Sequence, residues 1–147
     1  MKKTLKSLLD GGHFGLVPET RRRVMQANVA KNTKPELTVR ALLHRMGYRF
    51  RLHRKDLPGV PDIVLPRHRK IVEVYGCFWH KHYCSLGLRS PRSNAAYWRE
   101  KIAGNAARDV KKIAALRKLG WNVLVVWECQ TKDTASLEKR LRAFLTR

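Results

Sequence analysis

Apolar residues recur at helical spacing after Thr33: Leu37, Val39, Leu42, Leu43 and Met46 fall along one side of a 3.6-residue turn, and Gly47 ends the run. Thr33 offers a capping hydroxyl, Pro35 sits near the first helical position and Glu36 follows three residues after the cap, which together predict a helix over 34–46. Residues 48–53 alternate apolar and polar, the signature of a half-buried strand, and Leu57-Pro58-Gly59 marks a turn. Residues 60–65 and 70–75 are dense in Val, Ile and Leu and read as a hairpin around Pro66-Arg67-His68-Arg69. A long basic helix is predicted over 94–119, closed by Gly120, then a strand over 121–127 and a last helix from about Ser136. This order predicts one α/β domain with a central mixed sheet flanked by helices. No internal repeat or low-complexity stretch interrupts it.

The 147 residues are 44% hydrophobic, enough for one core. Residues 33–147 form the predicted domain, preceded by a basic, partly helical arm at 1–32 that holds Pro18-Glu19-Thr20 and the run Arg21-Arg22-Arg23. Charge changes the picture most. Lys and Arg total 32 against 11 Asp and Glu, a formal +21 spread along the chain, which predicts a polyanionic partner, nucleic acid before membrane. No apolar stretch is long enough to span a bilayer, and Asp10-Gly11-Gly12 cuts short the signal-like opening, so cytoplasmic residence is expected.

The three cysteines, Cys77, Cys84 and Cys129, combine with His82 into a four-ligand set suited to a tetrahedral structural Zn²⁺. The competing readings are a disulfide plus a free thiol, or three buried apolar cysteines. An even-length hairpin loop that pairs Leu65 with Lys70 sets Asp62 opposite Glu73. Directly opposed carboxylates repel unless a cation lies between them, and Mg²⁺ takes oxygen ligands of this kind. Alternatively, Asp62 caps the strand and Glu73 pairs with one of the many lysines.

Pro61-Asp62 on a hairpin, with ten residues before Glu73, resembles the PD-(D/E)xK nuclease core. The run Gly76-Cys77-Phe78-Trp79-His80, with Trp127-Glu128-Cys129, Thr33-Lys34-Pro35-Glu36, Leu57-Pro58-Gly59-Val60-Pro61-Asp62, Tyr97-Trp98-Arg99-Glu100-Lys101-Ile102 and Leu119-Gly120-Trp121, sharpens this to the very-short-patch repair endonucleases (Vsr), from about Arg21 to Gln130. The resemblance implies a restriction-endonuclease-like fold and a Mg²⁺-dependent nick in duplex DNA, 5′ to the thymine of a T:G mismatch left by 5-methylcytosine deamination. It implies that Asp62 holds the metal with the Val74 carbonyl, that Glu36 acts through water, that His80 activates the attacking water and that Asp109 orients His80. Alternation along a strand is expected to send His80 and His82 to different sites. Phe78, Trp79, Trp98 and Met25 match the family's aromatic and apolar wedges, and Lys101 and Asn105 its groove contacts. A monomer working in the bacterial cytoplasm at the nucleoid is expected, handing its nick to mismatch-repair, polymerase or ligase partners.

The sequence departs from the family where Val74-Tyr75 stands for Thr-His and Glu73 for an apolar residue. Tyr75 supplies no imidazole, while Glu73 restores the carboxylate of the generic core. A restriction or homing-type endonuclease cutting matched DNA therefore remains an alternative, as does a non-catalytic zinc-stabilised nucleic-acid-binding module.

Overall fold

A computed structural model describes residues 32–89 and 93–147. The arm at 1–31, Met25 included, lies outside the described residues. Helix α1 (Lys34–Arg45) starts where Thr33 accepts a hydrogen bond from the Glu36 amide. Its buried face is Glu36, Val39, Leu42 and Leu43, spaced to fall within one stripe, whereas Leu37 turns outward and is 49% exposed. The expected apolar face therefore lacks Leu37 and carries an acid instead.

Four strands pair in the order β1 (Arg51–Leu52), β2 (Ile63–Leu65), β3 (Lys70–Tyr75) and β4 (Asn122–Trp127), the first three antiparallel and β3 parallel to β4. The sheet is mixed, as the element order predicts. Strands β1 and β2 are shorter than the expected 48–53 and 60–65. Val60 is left-handed with φ of 50° and Pro61 has no N–H to offer, so β2 cannot begin earlier and β1 has little backbone to pair with. Leu65 pairs with Lys70, and the four-residue loop is a 3₁₀ turn, Pro66–His68, closed by left-handed Arg69.

Helix α2 (Ala95–Lys118) carries the chain from β3 to β4, and α3 (Thr134–Leu145) ends it. Helix α3 begins two residues before the expected Ser136, because the Asp133 carboxylate accepts from the Ser136 amide (3.2 Å) and hydroxyl (2.8 Å) and caps it. The sheet separates two apolar layers. On one face Ile63, Leu65, Val72 and Val126 pack with Val39, Leu42 and Leu43 of α1 and Leu137, Leu141 and Leu145 of α3. On the other, Val64 and Ile71 pack with Leu116 of α2 and Trp121. Alternation along β2 and β3 thus serves both layers, which explains why these strands are continuously hydrophobic. Lys70, buried at the start of β3, donates to the carbonyls of Phe144 (2.6 Å) and Arg147 (3.2 Å) and ties down the C-terminal turn. No helix among the described residues is long and apolar enough to cross a membrane.

Leu141 is fully buried at the centre of the α1/α3 layer. Leu141→Ala is expected to cost about 2–5 kcal/mol, read as a lower denaturant midpoint at unchanged slope.

Candidate active site and cysteine cluster

The hairpin register carries Asp62, one residue before β2, to the position opposite Glu73. Asp62 Oδ2 accepts from the Val74 amide at 2.9 Å, so this carboxylate also holds the end of β3. Glu73 has no solvent exposure, and Lys112 Nζ, from the middle of α2 and 8% exposed, lies 2.9 Å from its Oε1. The approach is close without hydrogen-bond alignment, and neither Glu73 oxygen has an aligned partner among the described residues. Burial pushes the Glu73 carboxyl up to about 9, the Asp62 charge adds to this and Lys112 pulls the other way. Strand capping by Asp62 and lysine pairing by Glu73, the two alternatives open from sequence, are both present in this arrangement.

Room for the lysine comes from Gly59, whose φ is +71° and whose added Cβ would stand 2.4 Å from Lys112 Cδ and 2.5 Å from its Cγ. The Leu57-Pro58-Gly59 turn thus lies directly against the lysine stem.

Glu36, buried on α1, faces the same centre. Its Oε2 accepts from the Asn32 amide at 2.6 Å and meets Arg40 Nη2 at 3.0 Å, while its Oε1 is buried without an aligned hydrogen bond, 3.2 Å from His53 Nε2. One ligand atom each from Glu36, His53 and Asp62 all lie within 4.8 Å of one another.

Tyr75 ends β3 behind these acids. Burial, followed by the charges of Glu73, Asp109 and Asp62, drives its phenol well above the ordinary range, and its buried hydroxyl has no partner among the described residues. Its ring is instead a shelf: His80 stacks on it with centroids 4.1 Å apart and planes 9° from parallel. His80 Nδ1 is in close contact with Asp109 Oδ2, and Asp109 is buried on α2. The structure thus brings His80 and Asp109 together, with the His80 ring on Tyr75.

Cys77, His82, Cys84 and Cys129 converge with their ligand atoms within 4.8 Å of one another, and none of the cysteines is disulfide-bonded. The Cys129 amide donates to Cys77 Sγ (3.3 Å) and the Gly87 amide to Cys84 Sγ (3.4 Å). Burial raises the Cys84 thiol, but bonds from Gly87, His82 and Cys77 outweigh it and bring the thiol down to about 6, whereas burial pushes Cys77 up to about 12. The His82 ring stacks on Trp127, 4.3 Å between centroids. His80 and His82 do face different sites, though strand alternation is not the reason: residues 77–81 form turns and Lys81 is left-handed with φ of 54°.

Phe78, Trp79 and Trp98 form a cluster with centroids 5.1 to 5.9 Å apart. Trp98 is 3% exposed, while Phe78 and Trp79 are half-buried above it. The Asn105 amide donates to the Trp79 carbonyl at 3.1 Å and its carbonyl oxygen accepts from Arg108, so Asn105 braces the aromatic turn; Lys101 is half-buried on the same helix.

Sequence reasoning missed His53, Arg40, Lys112 and Gly87. Lys112 had a usable signal, since Asp109, Lys112 and Leu116 share one face of α2 at helical spacing. Gly87 had none, because its constraint is steric: an added Cβ would fall 1.8 Å from the His82 carbonyl oxygen.

Gly87→Ala is therefore expected to open the cysteine loop and lower retained metal, measured as zinc per chain after gel filtration. Glu73 gives a pH dependence. Its folded value of about 9 lies above the ordinary 4.5, so the native chain holds a proton that the unfolded chain releases in that interval. The contribution of Glu73 to stability without added divalent cations is fully present below about pH 4.5 and is lost as pH rises through about 9. Urea midpoints at pH 6 and pH 9 should differ in the wild type and converge in Glu73→Gln.

The family model described as DNA mismatch endonuclease Vsr matches residues 15–86. The type II nicking enzyme V.XorIIP of Xanthomonas oryzae pv. oryzae is 56% identical over 130 residues, covering 88% of this chain and 95% of that protein. The type II nicking enzyme V.NmeAIP of Neisseria meningitidis is 45% identical over 112 residues, 76% of this chain and 79% of its own length. The DNA mismatch endonuclease Vsr of Escherichia coli is 39% identical over 118 residues, 80% of this chain and 75% of its own length. With likeness at this level across most of its length, joined to the acidic, His-Asp and Cys-His groupings above, the chain belongs to the Vsr family of DNA mismatch and nicking endonucleases.

Proposed function

We propose that the protein is a Mg²⁺-dependent endonuclease that nicks one strand of duplex DNA 5′ to the thymine of a T:G mismatch arising from 5-methylcytosine deamination. The observation that carries this reading is the His80–Asp109 pair, seated on a Tyr75 ring whose other charged neighbours are Asp62 and Glu73. A proposed proton acceptor and a proposed cation-binding acidic group thereby neighbour one ring.

With Nδ1 turned to Asp109, His80 presents Nε2 as acceptor for the proton of the attacking water, and Asp109 fixes ring and tautomer. The acidic donors fit a divalent cation, because Glu36 Oε1 is buried and unbonded beside Asp62. Asp62 and Glu36 hold it, with Glu73 and the Val74 carbonyl as neighbours. Bound there, Mg²⁺ supplies positive charge as negative charge builds on the phosphate. Cys77, His82, Cys84 and Cys129 hold a structural Zn²⁺, whose four-ligand closed set leaves no position for substrate.

Phe78 and Trp79, supported by Trp98, act as the wedge, with Met25 of the arm approaching from the minor groove and Lys101 and Asn105 beside the groove. Unstacking a base step costs a few kcal/mol and costs least at a mismatch, so the wedge itself favours damaged DNA. Phosphate contacts from Arg89, Arg99 and Arg108 make affinity fall with salt. The enzyme works as a monomer on one asymmetric lesion in the cytoplasm.

A second reading, cleavage of matched DNA in the manner of a restriction enzyme, draws on the Glu73–Lys112 pair, which supplies the acid and the lysine of the generic nuclease core from two different elements.

End-labelled duplexes with a T:G mismatch and matched controls, incubated with zinc-loaded protein and Mg²⁺, decide between them. A nick only 5′ of the mismatched thymine is expected, slowed about 10²–10⁴-fold in His80→Ala and lost in Asp62→Ala. Cuts in matched duplex at equal rate would sink the mismatch reading.

A further inference from the structure

We infer that His53 is a direct ligand of the divalent cation, so that Glu36, His53 and Asp62 form a mixed carboxylate–imidazole site that serves Mg²⁺ and binds first-row transition cations such as Mn²⁺ more tightly. This rests on the nuclease reading above and adds a ligand to the same centre.

The argument comes from the protons around His53 Nε2. That nitrogen lies 3.1 Å from Arg40 Nη2 and 3.2 Å from Glu36 Oε1. A protonated imidazole would put two cations 3.1 Å apart. A neutral ring with its proton on Nε2 would point N–H at N–H. With the proton on Nδ1, Nε2 accepts from Arg40, and its lone pair then confronts Glu36 Oε1. In each form one contact is frustrated, and Glu36 Oε1, in a residue 2% exposed, indeed has no aligned hydrogen bond.

Arg40 need not hold His53, since the same Nη2 meets Asn32 Oδ1 at 2.7 Å and Glu36 Oε2 at 3.0 Å. Asp62 uses Oδ2 on the Val74 amide, which fixes the carboxylate beside the pair. A cation is the simplest group that satisfies an unbonded carboxylate oxygen, an imidazole lone pair and a second carboxylate at once. Ligands at about 2.1–2.2 Å from one ion stand at most about 4.4 Å apart, so the observed limit of 4.8 Å closes with a few tenths of an ångström of contraction. A nitrogen donor shifts preference away from Mg²⁺, which favours oxygen ligands, toward transition cations.

Neither the cysteine cluster nor the His80–Asp109 pair enters this set. His53 is held where it is by a left-handed backbone, φ of 49°, and by its amide donating to the Asp62 carbonyl at 3.1 Å, so its approach to Glu36 is built into the β1–β2 edge.

The test is Mn²⁺ binding to zinc-loaded protein, followed by electron paramagnetic resonance with spin-echo modulation, which detects a coordinated ¹⁴N. Wild-type protein should show nitrogen modulation on bound Mn²⁺. His53→Gln should lose it and bind Mn²⁺ at least about 10-fold more weakly, and His53→Asp should bind Mn²⁺ without the nitrogen signal and gain affinity for Mg²⁺ relative to Mn²⁺. Thermal melts of both variants establish that they are folded. Nitrogen modulation that survives in His53→Gln, or bound Mn²⁺ that needs Asp62 but shows no nitrogen in wild type, would overturn the inference and leave the nuclease reading standing. No Mg²⁺-dependent nicking by the wild type on any duplex would instead bring down the nuclease reading, and nicking at the wild-type rate by Asp62→Ala would remove Asp62 from the metal centre and overturn this inference.

Discussion

The register of one hairpin forces two carboxylates together at the end of an otherwise apolar sheet. Leu65 pairs with Lys70 because a four-residue loop, closed by left-handed Arg69, leaves no odd residue, and every pair beyond it follows. Shifting that pairing by one residue would turn Glu73 to the opposite face and bring Val72 toward α2. The hydrophobic strands forbid the slip, since β2 and β3 are buried on both faces. Core packing thereby holds the conflict in place, and Glu73 answers it by keeping its proton to about 9.

Much of the surrounding structure can be understood as the response to that conflict. Lys112 reaches across from α2 and sets its Nζ 2.9 Å from Glu73 Oε1, the one charge there that pulls against burial and Asp62 in setting how tightly Glu73 holds its proton. Its stem fits because residue 59 has no side chain. Asp62 spends one oxygen on the Val74 amide, which draws its charge away from Glu73 and into the hairpin backbone. Tyr75 covers the acids with a ring that stays neutral, and Lys112 lies 5.8 Å from the centre of that ring. The same ring then carries His80. A single aromatic side chain thus neighbours both the acidic residues and His80.

What could be read from the sequence follows the range of the physics. Element order, the α1 cap, the hairpin register and three of the four Cys-His residues depend on local spacing, which residues 33–36, 65–70 and 77–84 display directly, and Cys129 joins them as the one remaining cysteine of the chain. His53 and Arg40 were invisible because nothing local distinguishes them; their meaning comes from Glu36, which turned out to lie on the buried stripe of α1 while Leu37 does not. The short β1 and β2 were misjudged because alternation at 48–53 and hydrophobicity at 60–62 say nothing of whether a partner backbone can pair. Val60 and Pro61 cannot. Lys112 was the recoverable miss: of the adjacent Lys111 and Lys112, Lys112 lies three residues from Asp109 on a face that also holds Leu116, and is a cation aimed inward.

The cysteine cluster and the acidic centre meet at the turn that joins them. Residues 76–84 leave β3, carry His80 back over Tyr75 and, after left-handed Lys81, deliver His82 and Cys84 toward Cys77 and Cys129. The same turn raises Phe78 and Trp79 over Trp98. The converging Cys77, His82, Cys84 and Cys129 therefore anchor the turn that positions two things at once, the His80 ring and the Phe78–Trp79 pair. With both on a segment of nine residues, any displacement of the aromatic turn also displaces His80, so the aromatic cluster and the His80–Asp109 pair are coupled by chain length rather than by any distant rearrangement.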